Sequence, residues 1–168
     1  MASELHVDAI KHSGGTSAMT INSSGVVHIS GHVIQTLQFS AGETSISNTN
    51  ANTVINSTFT PKVSGSKFAV WLQIPNCTNT SGGDTQANVN IGTSATPASN
   101  TTVIYVMERM EGTGSEDVRG INGNDFGTFT CSSTGTHYIS LVVTPSHGSQ
   151  SLARHSNTIK IVLQEIAQ

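Results

Sequence analysis

Apolar residues in this sequence alternate with a period of two, and this periodicity limits the possible folds more than any other feature. Every second position of residues 67–74 is apolar, and residues 137–143 and 159–165 alternate in the same way. Such alternation is typical of strands that bury one face. No segment carries apolar residues at helical spacing over three turns. The sequence therefore predicts an all-β protein.

The candidate strands are short and are separated by clusters of Gly, Asn, Ser and Pro, which favours a β-sandwich or barrel. Residues 102–109 are apolar on both faces, as in a central or interface strand. Proline residues are expected where strands end, and they occur at Pro61, Pro75, Pro97 and Pro145. The predicted strands are 5–10, 17–22, 26–30, 33–40, 53–60, 67–74, 86–92, 102–109, 126–131, 137–143 and 159–165.

The apolar residues are distributed unevenly along the chain. Residues 1–31 hold short strands around a predicted turn at 22–25 and carry too little apolar mass to fold alone. This predicts an N-terminal arm or hairpin that packs on its own domain, on a neighbouring subunit or on a larger assembly, and that serves as the attachment element. Residues 32–168 form the predicted sandwich domain. The expected attachment residues are Leu5, Val7, Ile10, Met19 and Ile21, and the expected core residues are Phe59, Phe68, Val70, Leu72, Leu141, Val143, Ile161 and Leu163.

The composition argues against catalysis. Ser, Thr and Asn make up about a third of the 168 residues and only 10% are charged, whereas active sites gather titratable groups. No Gly-x-Ser-x-Gly elbow and no recognisable pair of carboxylates is present. We therefore predict that the protein is not an enzyme and needs no cofactor or metal.

Charge and hydropathy exclude two further classes of partner. The net charge is −3, with no basic stripe for a phosphate backbone, so we expect no nucleic-acid binding. No apolar run approaches about 20 residues, so we expect no membrane span. The N-terminus has neither the basic start nor the apolar stretch of a signal peptide.

Four features keep alternative interpretations open. The acidic segment 111–125, with Glu111, Glu116, Asp117 and Asp125, is either a solvated loop or a Ca²⁺ site. His28 and His32 are either surface or packed histidines or metal ligands near a symmetry axis. Cys77 and Cys131 are either free thiols or a disulfide. Trp71, the single Trp, either covers the back of a sheet, anchors an interface or stacks on a sugar.

Three segments resemble virion proteins of tailed bacteriophages. The segment from Leu5 to Gly25 contains the motif Val-Asp-Ala-Ile-Lys-His-Ser-Gly-Gly-Thr. It is similar to the N-terminal segment of virion proteins from marine and cyanobacterial phages. The segments Phe59–Val70 and Asn157–Ala167 resemble the signature and the closing strand of a phage β-sandwich domain found in fibre and decoration proteins. Residues 76–157 match only in pattern. The resemblance implies an antiparallel, jelly-roll-like β-sandwich, expected to be trimeric.

The arrangement of an arm leading directly into one lobe, without a shaft or repeat, favours a capsid decoration or knob protein on the head surface. The expected partners are two further copies of the chain and the major capsid protein or other virion proteins, with a host surface glycan as a further candidate. The expected location is the virion surface, after synthesis in the host cytoplasm. The alternative is a short tail fibre or receptor-binding tip; a depolymerase is the third and least supported hypothesis.

Overall fold

A computed structural model describes residues 9–11, 13–14, 17–21, 23, 25, 27–29, 31–79, 83–110, 118–146, 150–153 and 156–168. Within these ranges lie one 3₁₀ turn (Pro97–Ser99) and thirteen strands. None of the described segments is a helix long and apolar enough to cross a membrane. The strands are β1 (Ala9–Lys11), β2 (Ser17–Ile21), β3 (Val27–His28), β4 (Val33–Ala41), β5 (Thr44–Ile46), β6 (Asn52–Phe59), β7 (Lys67–Asn79), β8 (Gly83–Gly92), β9 (Thr101–Met110), β10 (Val118–Thr130), β11 (His137–Pro145), β12 (Gln150–Leu152) and β13 (Ile159–Ile166).

The larger sheet has the order β4-β13-β7-β12-β5, and β10 also pairs with β7. β13 pairs with the first half of β7 and β12 with its last two residues, so β12 and β13 follow each other along one edge of β7. On the outer side of these strands, β5 pairs with β12 and β4 pairs with β13, so β5 and β4 also follow each other along one edge. β10 lies on the opposite edge of β7. The sheet is therefore four strands wide, with two of its strands interrupted.

The second sheet has the order β6-β11-β8-β9, and all its pairings are antiparallel. When β4 with β5, and β12 with β13, are each counted as one strand, the sandwich has eight strands, numbered 1 to 8 along the chain. They are arranged 1-8-3-6 in the larger sheet and 2-7-4-5 in the smaller one. This order defines a jelly roll, in which two antiparallel sheets share one core. The prediction of an all-β, antiparallel, jelly-roll-like sandwich is confirmed.

The core lies between the inner faces of the two sheets, as the alternation along the strands dictates. Leu72 faces Ile161 and Val70 faces Leu163 across the β7–β13 pair. Phe59 packs edge-on against Phe68, with ring centroids 5.2 Å apart. All the residues expected in the core are buried, namely Phe59, Phe68, Val70, Leu72, Leu141, Val143, Ile161 and Leu163.

Several predicted strand boundaries are wrong. Pro75 does not end β7, which continues to Asn79. The proline lies between the parts of β7 that pair with β13 and with β12, and opposite a register shift in β10, so no regular ladder bond needs its missing N–H. β10 begins at Val118 instead of residue 126, and the sequence pattern missed the short strands β5 and β12.

Strand β9 also differs from the prediction of a central strand. It lies at the edge of the smaller sheet, next to β8. Its inner face contributes Ile104 and Val106 to the core, whereas Tyr105 and Met107 on the outer face are more than half exposed. The central-strand interpretation is therefore wrong, and the interface interpretation stays a prediction.

The N-terminal strands form a separate antiparallel sheet of order β1-β2-β3. Ala9 faces Thr20, and Thr20 faces His28 on the next strand. The chain then meets the end of β13, where the Gly31 N–H donates to the Ala167 carbonyl at 2.9 Å and the Ala167 N–H donates to the His32 carbonyl at 2.9 Å. The division of the chain at residue 31 stays a prediction.

Candidate functional site

The two sandwich segments that carry the phage resemblance meet at one buried carboxylate. Glu165 on β13 is fully buried. Its carboxylate accepts hydrogen bonds from the Lys62 and Val63 backbone N–H groups, both at 2.9 Å, and from the Ser66 hydroxyl at 2.7 Å. The Gln35 side-chain amide also donates to it, at 2.5 Å. Four donors from two separate parts of the chain therefore bind one side chain.

Local sequence explains why the loop between β6 and β7 presents these donors. Pro61 follows the end of β6, and Gly65 adopts a left-handed conformation with φ of 80° that suits glycine in a tight turn. Cys131 closes the far side of the loop, because its thiol donates to the Val63 carbonyl at 3.1 Å and its N–H donates to the Ser66 carbonyl at 3.1 Å. Since its oxygens are already used, the Glu165 carboxylate anchors a loop and is not a reactive group.

The other titratable candidates are dispersed. Asp125 lies half-buried in β10, so the expected loop 111–125 is shorter than predicted, and Glu111, Glu116 and Asp117 lie outside the described residues. His32 is exposed, and its N–H donates to the Ile29 carbonyl in a turn at Gly31; the side chain of His28 lies outside the described part. Within the described ranges, no three His, Cys, Asp or Glu side chains come close enough to hold a metal ion.

Neither cysteine forms a disulfide, and both are buried. Cys77 faces Arg119 across the β7–β10 pair, whereas Cys131 directly follows Thr130, which faces Lys67 at the other end of β7. Ten residues of strand at about 3.3 Å each put the two roughly 30 Å apart, far beyond the reach of a disulfide. The interpretation without a Cys77–Cys131 disulfide is therefore correct.

The expected attachment residues are divided between described and undescribed positions. Ile10 faces Met19 across β1 and β2 and is about half exposed, while Met19 and Ile21 are half-buried. Leu5 and Val7 lie outside the described residues. The small N-terminal sheet thus exposes apolar surface at Ile10.

An apolar stripe crosses the outer face of the larger sheet. It consists of Val162, Trp71 and Phe126, which lie side by side on β13, β7 and β10. The Trp71 and Phe126 rings have centroids 5.5 Å apart, and 36% of Trp71 and 58% of Phe126 are exposed. The sequence singled out Trp71 but not Phe126 as its neighbour, because their pairing depends on strand register.

The apolar stripe ends at an edge of the sandwich where β10 and β9 approach each other. A Cβ atom on Gly127 would collide with the Val103 carbonyl of β9, so only glycine permits this close approach. Tyr105 and Met107, on the outer face of β9, flank the same edge. Exposed aromatic residues and Met of this kind are enriched in protein–protein interfaces.

A pocket of about 410 Å³, lined by neutral residues, opens on the outer face of the smaller sheet. Its floor carries Thr53, Asn88, Asn90, Thr102 and Thr144, from strands β6, β8, β9 and β11. One wall is the segment 93–100 between β8 and β9, which contributes Pro97. This volume is typical of small-ligand sites. Nothing in the sequence marks the residues of the pocket, because Asn and Thr are common throughout the chain.

Taken together, these features can bind and anchor but provide no arrangement for acid–base or nucleophilic chemistry among the described residues. Catalysis would need a nucleophile or carboxylate beside a base that orients it. The pocket is lined by neutral residues, and the fully buried carboxylate of Glu165 is already hydrogen-bonded. The candidate sites are therefore the pocket and the apolar stripe.

No family model matches the sequence, and no curated protein matches it. Among solved structures, the chain is similar to the infectious bursal disease virus Gx strain, with 11% identity, a TM-score of 0.38 and coverage of 96% of this chain and 42% of that one. The VP2 subviral particle of the same virus gives 10% identity, a TM-score of 0.35 and coverage of 81% and 39%. The enzymatically active domain of tailspike protein 4 of bacteriophage CBA120 gives 12% identity and a TM-score of 0.27, with coverage of 77% of this chain and 19% of that one. The chain spans about two fifths of the length of the bursal disease virus chains, and at these TM-scores the similarities carry no argument about function.

Proposed function

We propose that this protein is a structural component of a tailed-phage virion, a trimeric capsid decoration or knob protein attached to the head surface. The observation that carries the proposal is the binding of the Phe59–Val70 segment by Glu165 of the closing segment. The two sandwich segments with phage resemblance are thus parts of one structural unit. This supports the interpretation that together they form the framework of a phage β-sandwich.

The N-terminal arm supplies the proposed attachment to the major capsid protein or another virion protein. Its small sheet exposes apolar surface at Ile10 and has a hydrogen-bonded junction with the sandwich at Gly31. A three-stranded sheet of this size buries too little surface to be stable alone, so contact with a partner would stabilise it.

The apolar stripe and the exposed Tyr105 and Met107 support a trimer. We expect light scattering of the purified protein at about 10 μM, far above the dissociation constant of a stable interface, to give three times the chain mass of 17.5 kDa. The double variant Tyr105→Ser/Phe126→Ser should dissociate, because interface aromatics contribute a large part of association energy. Thr128→Ser, exposed on the same face of β10, is the matched control and should stay trimeric. A monomeric wild-type protein would contradict the trimer.

The proposed function is tested by deleting the protein from the phage and examining the particles that form. We expect particles without it to assemble and package DNA but to lose resistance to heat or osmotic shock, because a decoration protein links capsomers without building the shell. Protein lacking residues 1–31 should fold but fail to enter particles. The wild type should be present in hundreds of copies per virion. Absence of the wild-type protein from purified virions would refute the structural role.

The alternative of a short tail fibre or receptor-binding tip is favoured by one observation, the pocket on the smaller sheet. The same deletion experiment separates the two functions. Particles with normal stability that no longer adsorb to cells, and a copy number of tens or fewer, would support the tip and overturn the capsid assignment.

A further inference from the structure

We infer that the pocket on the outer face of the smaller sheet binds a neutral saccharide. The assignment rests on the lining of the pocket and is independent of where the protein sits on a virion. Ala87 and Val89 of β8 and Val143 of β11 point into the core, so the intervening Asn88, Val142 and Thr144 face the pocket.

The wall of the pocket is fixed by hydrogen bonds. The Asn100 side-chain amide donates to the Ser94 carbonyl at 2.8 Å, and its Oδ1 accepts from the Ser94 N–H at 3.1 Å. The Asn100 N–H also donates to the Pro97 carbonyl at 3.1 Å. These bonds tie both ends of the segment 93–100 together. A preformed wall lowers the entropy that must be lost when a ligand binds.

The polar groups of the pocket can both donate and accept hydrogen bonds. The Thr102 hydroxyl donates to the Asn90 amide oxygen at 2.7 Å, which orients that pair. Asn88 is different, because its Oδ1 is buried and has no partner among the described residues. A buried acceptor without a partner is costly, so a rotation of the Asn88 side chain that brings Oδ1 to a ligand hydroxyl in the pocket would be favourable.

The lining selects the chemical class of the ligand. All its residues are neutral, so nothing there balances the charge of a phosphate, a carboxylate or an amine. It has no aromatic ring, so a nucleobase would find no stacking partner. Pro97, Ala98 and Val142 offer aliphatic surface beside the amides and hydroxyls. A sugar ring presents this combination of neutral hydroxyls and C–H groups.

Each pocket is expected to bind weakly, with a dissociation constant on the order of 1–10 mM, because no aromatic platform adds stacking. Copies of the chain held together on one particle would strengthen attachment to a surface that displays many sugars. The single-site affinity is nevertheless the quantity that tests the assignment.

The test is a titration of the full-length protein, followed by ¹H–¹⁵N NMR, with methyl glucoside, methyl galactoside and N-acetylglucosamine up to about 100 mM, which spans the expected range. Glycerol and glucuronate are the comparison solutes. We expect at least one neutral sugar to shift the amide signals of residues 88–90 and 93–102 with saturation, and neither comparison solute to do so. Absence of saturable shifts for all three sugars would overturn the assignment, as would shifts confined to the apolar stripe.

Substitutions identify the groups that bind. Asn88→Ala and Thr144→Val should each weaken binding about fivefold or more, which is the effect of losing one hydrogen bond. Thr58→Val, exposed on β6 outside the pocket, is the control and should bind like the wild type. The two substitutions are at separate positions, so if one variant does not fold, the affinity of the other still tests binding in the pocket. Unchanged affinity in a folded Asn88→Ala or Thr144→Val protein would contradict the binding role of that side chain.

Discussion

Glu165→Ala is expected to destabilise the sandwich by about 3–5 kcal/mol, a large part of the 5–15 kcal/mol that stabilises a typical domain. The variant leaves the Lys62 and Val63 N–H groups without their acceptor, whereas the Ser66 hydroxyl can still donate to the Val63 carbonyl at 2.8 Å and the Gln35 amide to the Thr60 carbonyl at 3.1 Å. Each buried donor that loses its partner costs about 1–3 kcal/mol. The expected loss stays below the upper end of the sum for these two N–H groups, because water can reach the loop beside the exposed Lys62 and Ser64.

Equilibrium unfolding in urea at one fixed protein concentration measures this effect, since association would otherwise change the apparent stability. Glu43→Ala is the matched control. Glu43 is exposed and accepts only a 3.3 Å bond from the Ser151 hydroxyl, so its removal should cost less than about 0.5 kcal/mol. Glu165→Gln should fall between the two, because it keeps the shape and one acceptor oxygen. A cost below about 1 kcal/mol for Glu165→Ala would refute the anchoring role.

The role of Glu165 was partly visible in the sequence. Alternation puts Ile159, Ile161 and Leu163 on the inner face of β13, and the next position of that face is Glu165. A carboxylate at a core position is rare unless it is paired, and this was a detectable signal. Its partners were not predictable, because Lys62 and Val63 are about a hundred residues away and only the folded topology brings them to it.

The strand faces were predictable for a physical reason. A one-residue change of register would turn every core side chain of a half-buried strand towards water, so alternation determines the faces of β7, β11 and β13. Strand length was harder to predict. The segment 120–125 is rich in Gly and Asn, as loops are. It nevertheless lies in β10, where the ladder passes through register shifts that tolerate such residues.

Neither candidate site was predictable, because each depends on which strands are neighbours. Trp71 and Phe126 are 55 positions apart and become adjacent only because β10 pairs with β7. The pocket combines four strands and a loop, and its Asn and Thr residues do not differ from the many others in the chain. The positions of both candidate sites therefore required the topology.

Leu72→Ala and Ile161→Ala are each expected to cost about 2–5 kcal/mol, the range for truncating buried Leu and Ile side chains. Leu72 is 1% exposed and Ile161 is fully buried. Each substitution removes apolar contacts and leaves a cavity that the surrounding sheets can close only in part. Gln73→Ala is the control, because Gln73 is the next residue of β7 but is exposed on the opposite face. It should change the unfolding free energy by less than about 0.5 kcal/mol.

The double variant tests whether the two side chains share one part of the core. Leu72 and Ile161 are directly opposite each other on β7 and β13. Their cavities would merge, and the cost of the double substitution should differ from the sum of the single costs by about 0.5–3 kcal/mol. Strict additivity would indicate that the two residues pack into separate regions. A single cost below about 0.5 kcal/mol at either position would mean that the side chain faces water, and that the inner face of this strand pair has been assigned wrongly.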